Sequence, residues 1–141
     1  MSHNVERICL TGGEPLNHDL QRLVDRAVEA GFFIHVETSG TVEFPAWVFN
    51  LTPRPWITVS PKCRLWAGAL GRADEIKLLV DENFSLEQAR ALVGDHPLVY
   101  LQPVNGEHSL NRSNLDRCLS FLPQAPRWRM STQLHKVWGV R

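Results

Sequence analysis

Four times along this chain a short apolar run stops abruptly in a cluster of glycine, proline and small polar residues. Ile8-Cys9-Leu10 runs into Thr11-Gly12-Gly13-Glu14-Pro15, and Phe32-Phe33-Ile34-His35-Val36 into Glu37-Thr38-Ser39-Gly40-Thr41. Trp56-Ile57-Thr58-Val59 runs into Ser60-Pro61-Lys62, and Leu98-Val99-Tyr100-Leu101 into Gln102-Pro103-Val104-Asn105-Gly106. Runs of this length, bounded by turn formers, read as buried strands. With Glu75-Ile76-Lys77-Leu78-Leu79-Val80 as a further strand and Trp128-Arg129-Met130-Ser131 as a short last one, helical patterns fall between them. Strand–helix alternation with short connections specifies an α/β chain with a mainly parallel sheet. In such a sheet the carboxyl ends of the strands lie along one edge, where ligands bind. The four polar clusters therefore mark the expected site.

The helices are read from period and caps. Leu20, Leu23, Val24, Ala27 and Val28 make an apolar stripe, with Asn17 as its expected N-cap, Asp19 in the first turn and Gly31 just past its end. Prolines 45, 53 and 55 leave room for a short helix at 46–50, and 63–73 reads as loop. Ser85 and Gln88 form a capping box before Leu86, Ala89, Leu92 and Val93, which Gly94 ends. Ser113 is expected to cap a last helix carrying Leu115, Cys118, Leu119 and Leu122. Trp138 and Val140 suggest that the 132–141 tail docks, against the usual fraying of termini.

Composition bounds what the site can serve. A length of 141 residues suits a single domain, and 15 basic against 15 acidic residues leave no field for nucleic acid or an anionic membrane. No apolar run approaches membrane-spanning length and the N-terminus has no signal-peptide core, so the expectation is a cytoplasmic protein. The three cysteines, Cys9, Cys63 and Cys118, are far apart in sequence. Their spacing supports neither zinc nor an iron–sulfur cluster. Cys9 and Cys118 read as buried thiols, and Cys63 sits between Lys62 and Arg64, where its pKa could be depressed. His35 reads as a core or rim histidine, and no nucleophile–base pair is identifiable through it or His108. The polar set at the strand ends suits a zwitterionic small molecule, held by carboxylates, hydroxyls, Lys62 and glycine backbone.

Thr11-Gly12-Gly13-Glu14-Pro15 after a strand resembles the glycine-rich motif of radical S-adenosylmethionine enzymes. Together with Glu37-Thr38-Ser39-Gly40-Thr41, Ser60-Pro61-Lys62, Gln102-Pro103 and the terminal pattern from Trp128 through His135 to Arg141, the chain resembles the 7-carboxy-7-deazaguanine synthase family over nearly its whole length. The resemblance implies an incomplete, modified TIM-like barrel of which 1–141 is one domain. It implies conversion of 6-carboxy-tetrahydropterin to 7-carboxy-7-deazaguanine with loss of ammonia, in deazapurine and queuosine synthesis. A four-iron–four-sulfur cluster would cleave S-adenosylmethionine to a 5′-deoxyadenosyl radical, with magnesium assisting, in a homodimer.

Carried over by residue, Thr11, His135 and the carboxylate of Arg141 would meet the pterin. Gly13, Glu14, Glu37 and Ser39 would meet S-adenosylmethionine, as would Ser60, Pro61 and Lys62 and, further on, Gln102, Pro103, Val104 and Asn105. One departure stands out. The family's three cluster cysteines lie upstream of the Gly-Gly motif, and Cys9, Cys63 and Cys118 do not match them. The expectation is an N-terminally shortened chain, inactive alone, without the metal ligands. The alternatives are a non-catalytic module that still binds S-adenosylmethionine or pterin, and a fragment of a glycyl-radical activating enzyme.

Overall fold

A computed structural model describes residues 5–62, 64–106 and 109–138, which form two compact units, Met1–Asp74 and Glu75–Arg141. In the first unit, strands β1 (Arg7–Leu10), β2 (Phe33–Thr38) and β3 (Trp56–Val59) pair in parallel in chain order. Helix α1 (Gln21–Glu29) joins β1 to β2, and the one-turn helix α2 (Trp47–Asn50) lies between β2 and β3. A second one-turn helix, α3 (Ala69–Arg72), follows within 63–73. Ile34, Val36, Ile57 and Val59 face the helices and are fully or almost fully buried with Val24, Trp47 and Val48. Burying a side chain of this size contributes roughly 1.5–3 kcal/mol, so this layer carries the unit's stability. Ile8 and Leu10 pack on the same layer, and the alternate residues of each strand point to the opposite face.

The second unit has the same build. Strands β4 (Glu75–Val80), β5 (Val99–Pro103) and β6 (Arg129–Met130) are parallel in chain order. Helix α4 (Leu86–Val93) joins β4 to β5, α5 (Arg112–Phe121) joins β5 to β6, and the one-turn α6 (Leu134–Val137) follows β6. Ile76, Leu78 and Val80 on β4 and Val99, Leu101 and Pro103 on β5 are buried, as is Cys118 on α5. Every described strand pair within either unit is parallel, as strand–helix alternation requires.

Helix starts differ from the expectation. Pro15 opens a single 3₁₀ turn, Pro15–Asn17, capped by the Glu14 side chain, and this turn takes up Asn17. Helix α1 consequently starts at Gln21 with no side-chain cap, and Asp19 Oδ1 accepts from the Gln21 N–H at 3.2 Å. Val24 and Ala27 are buried as the stripe predicts, but Leu23 is 54% exposed. Gly31 does sit past the helix end at positive φ, 85°. For α5 the cap is Asn111, whose Oδ1 accepts from the Asn114 N–H at 3.1 Å, and Ser113 lies inside the helix. Ser85 caps α4 as expected, accepting from the Gln88 N–H. Helix α3 occupies part of the stretch read as loop. Trp138 is 68% exposed, so docking of the tail through this residue is not what the structure shows. Val140 lies outside the described residues.

Candidate functional site

Parallel register puts the ends of β1, β2 and β3 side by side in the first unit, so three polar clusters are neighbours. After β1 come Thr11, Gly12 and Gly13, all exposed. Gly12 and Gly13 have φ of 84° and 54°, the left-handed region that glycine enters without a steric penalty. Nothing lies within 4 Å of where a Cβ would stand at either. The turn is a bare stretch of backbone open on its outer side, where a polar ligand can approach the peptide groups closely.

Glu14 ties this turn to the next cluster. Its Oε1 accepts from the Thr38 hydroxyl at 2.7 Å and from the Leu16 N–H at 3.3 Å. Its Oε2 accepts from the Ser39 N–H at 2.8 Å and from the Ser39 hydroxyl. The Ser39 proton is thereby committed, so Thr41, 2.8 Å from Ser39 Oγ, donates to it. Burial pushes the Glu14 carboxyl up, but the Ser39 hydroxyl, Thr38, and the Ser39 and Leu16 backbone together outweigh burial and hold it below the usual glutamate value. The Ser60 N–H donates to the Thr38 carbonyl at 2.8 Å, bringing the Ser60-Pro61-Lys62 segment against the same loop. Ser60 and Pro61 are half-buried and Lys62 is exposed. Gly40 (φ 70°) closes the loop where a Cβ would meet Leu65 and Val59 at 3.0 Å.

Of the residues expected to meet a ligand, Glu14 and Ser39 are thus bonded to each other, which makes the loop geometry theirs to set. Glu37 lies one residue before this network and on the other face of β2. There its carboxylate stands with Cys9 and His35, the three ligand atoms within 4.8 Å of one another. Cys9 is exposed, not buried as expected, because Ile8 and Leu10 take the helix-facing positions of its strand. His35 is half-buried, with Nε2 2.7 Å from Thr58 Oγ1.

The second unit gathers its own polar cluster after β5. Gln102 Oε1 accepts from the Ser131 hydroxyl at 3.2 Å. Asn105 is held at both ends of its amide: Oδ1 accepts from the Asn111 N–H at 3.0 Å, and Nδ2 donates to Gln133 Oε1 at 3.2 Å. Asn114, buried on α5, donates to the Val104 carbonyl at 2.7 Å. Lys136 Nζ donates to the Gly106 carbonyl at 2.8 Å. Pro103 is buried at the end of β5, Val104 is exposed, and His135 is exposed on α6. Arg141, Cys63 and His108 lie outside the described residues.

Sequence reasoning missed Thr38, Asn111, Asn114, Gln133 and Lys136 as structural partners. The capping pattern Asn111-x-x-Asn114 was the one local signal. Cys118 is inert by environment, since burial pushes its thiol up to about 11 despite the opposing backbone hydrogen bond and Arg117.

The open Gly12–Gly13 backbone, next to a hydroxyl-rich loop, fits the zwitterionic end of a ligand such as S-adenosylmethionine. Iron–sulfur clusters are held by several thiolates, and the described residues supply two cysteines, one in each unit. Magnesium takes a shell of oxygens. The one converging group of three His, Cys, Asp or Glu side chains among the described residues contains a single carboxylate. The described residues fit neither the cluster nor magnesium, and no chemical step is derived through them.

No protein-family profile matches the chain. It is 35% identical over 149 residues to the 7-carboxy-7-deazaguanine synthase of Escherichia coli K12, covering 98% of this chain and 62% of that protein. It is 36% identical over 141 residues to the synthase of Synechocystis, covering 95% and 62%. It is 34% identical to that of Bacteroides thetaiotaomicron, covering 95% and 65%. A crystal structure of QueE from Escherichia coli aligns with a TM-score of 0.72 at 33% identity, over 93% of this chain and 58% of that one. At this identity and score, the parallel α/β architecture of the chain is similar to that structure's. The chain spans about three-fifths of the length of the curated relatives it matches.

Proposed function

The chain is a homologue of the 7-carboxy-7-deazaguanine synthases over the 62% of the Escherichia coli protein that it covers, and from this we propose that it binds S-adenosylmethionine at the Gly12–Gly13 turn and serves the same pterin rearrangement. The observation that carries the reading is the pair of open, positive-φ glycines held by Glu14 against the Thr38–Ser39 loop. The exposed peptide groups of Gly12 and Gly13 are the contacts for the methionine ammonium and carboxylate. Glu14 acts through position: its four accepted hydrogen bonds keep the turn and the Thr38–Ser39 loop in one geometry, so little ordering remains to be done when the ligand arrives. Ser60 is bonded to that loop through its N–H, Pro61 and Lys62 follow it, and Lys62 is the cation proposed to meet a carboxylate. Thr11, exposed at the end of β1, is proposed to touch the pterin.

In the second unit Gln102, Pro103, Val104 and Asn105 form the proposed further ligand-contacting loop, and His135 and Arg141 are the residues proposed to contact the pterin. When bound, S-adenosylmethionine would supply the radical precursor for a ring contraction that expels ammonia, its cleavage taking one electron from a reductant such as the cluster of the family it resembles. The role of the chain's own residues is to hold and orient the two reactants. As in the family it resembles, the chain is proposed to pair with a second copy of itself.

Calorimetric titration of the 141-residue chain with S-adenosylmethionine tests the reading. The expected result is saturable heat whose affinity weakens by about 5–30-fold in Gly13→Ala, whose Cβ makes the left-handed turn that presents the peptide groups unfavourable by roughly 1–2 kcal/mol. Gly71→Ala is the control, because Gly71 has open space around it and an ordinary φ. Absence of heat in the parent, or equal affinity in Gly13→Ala and Gly71→Ala, would remove the proposal.

A further inference from the structure

Cysteine spacing along the chain argues against a metal, but strand register brings together what sequence distance separates. Cys9 and His35 are direct partners in the β1–β2 ladder, and Glu37 is two residues beyond His35 on the same face. Ile8, Leu10, Ile34 and Val36 occupy the helix-facing side of the two strands, so Cys9, His35 and Glu37 share the other side. We infer that these three side chains form a binding site for a divalent transition-metal ion of zinc's class.

The distances and the chemistry agree. One ligand atom from each residue lies within 4.8 Å of the others. A zinc ion with bonds of about 2.0–2.3 Å to nitrogen, oxygen and sulfur places its ligands roughly 3.3–3.7 Å apart. Binding would bring the three ligand atoms into this range. A thiolate with an imidazole selects zinc or cobalt over magnesium or calcium, which prefer oxygen. On binding, the Cys9 thiol gives its proton to solvent and its sulfur lone pair to the metal. The two anionic ligands then balance the ion's two positive charges.

A second layer is already built. Thr58, fully buried on β3 opposite Glu37 in the ladder, lies 2.7 Å from His35 Nε2. That contact holds the ring in place, as outer-shell partners do for metal-bound histidines. None of the three ligands is without a partner in the structure, so the ion exchanges existing polar contacts for coordination. Cys9 is exposed, which gives the ion a path in. Three protein ligands leave one tetrahedral position for water or a substrate atom. The inference stands on the β1–β2–β3 register and holds whatever becomes of the S-adenosylmethionine reading.

Cobalt(II) titration of the whole chain, followed by absorbance, tests it. The expected result is a thiolate-to-cobalt charge-transfer band with visible bands of tetrahedral intensity, saturating at one ion per chain and bleached by zinc. Cys9→Ser should abolish the charge-transfer band. Thr58→Val should weaken cobalt binding by about 10–100-fold, as loss of an outer-shell partner does. Cys63→Ser and Cys118→Ser should leave the titration unchanged. Circular dichroism of each variant confirms that the fold persists, and His35→Gln replaces Thr58→Val if the latter unfolds. No charge-transfer band in the parent, or a band that survives Cys9→Ser, overturns the site.

Discussion

Glu14 accepts hydrogen bonds from three residues, Leu16, Thr38 and Ser39, and its carboxyl is held below the usual glutamate value in spite of burial. A folded-state value below the unfolded one means that the carboxylate contributes stability at neutral pH. The contribution is complete above the ordinary glutamate range and is lost as pH falls through the folded value. Thermal melts of the parent and Glu14→Gln should differ at pH 7 by on the order of 1 kcal/mol, because the group is partly solvent-screened. The two curves should converge as the buffer is taken into acid. A difference that persists unchanged at low pH would show that the carboxylate's charge is not what binds the loops.

This partnership was only half legible in the sequence. Glu14 and Ser39 both stand in recognisable strand-end motifs, but a residue list treats each as reaching for a ligand, whereas tertiary contact turns them toward each other. Cys9 shows the opposite case. Its exposure follows from the period of two along β1, yet an unbroken apolar run reads equally well as buried on both faces.

Among the elements, strands were easier to read than helix starts. Buried strands announce themselves by apolar runs between turn formers, and β3 and β4 have the extents the sequence predicts. Helix starts depend on which of several neighbouring polar residues wins the cap. Proline at position 15 fixes a 3₁₀ turn that absorbs Asn17, and in α5 Asn111 wins over Ser113 because its own backbone N–H is already anchored to Asn105. Asn114 interrupts the apolar stripe because its partner is the Val104 carbonyl, ten residues earlier. Asn111→Ala should therefore cost about 1 kcal/mol in chemical denaturation followed by far-UV circular dichroism. Ser113→Ala should change stability by a few tenths of a kcal/mol at most. Equal effects at the two positions would contradict the observed cap.

For the molecule as a whole, the parallel α/β class follows from strand–helix alternation, and the likeness to QueE agrees with it. The sequence could not show the division into two compact units, since no linker of distinct composition marks the passage from Asp74 to Glu75. No helix among the described residues is long and apolar enough to cross a membrane. Self-association is the property that belongs to this scale. Leu134 and Val137 on α6, and Trp138 just past its end, recur at i, i+3 and i+4 and all are exposed, an arrangement that costs solubility in an isolated chain. Light scattering on the purified protein should report the mass of a dimer across a tenfold dilution. A monomer's mass at every concentration would remove the proposed homodimer.

The Glu14 bridge also dictates an order of events as the chain is made. It joins residues 24 and 25 positions apart, across the whole of α1 and β2. A nascent chain that has emerged only as far as the first helix has no Thr38 hydroxyl or Ser39 amide to offer, so its glycine turn stays shapeless. The turn takes its final form when β2 pairs with β1 and delivers those donors. The first proposed ligand-binding segment to leave the ribosome is thus finished by the second.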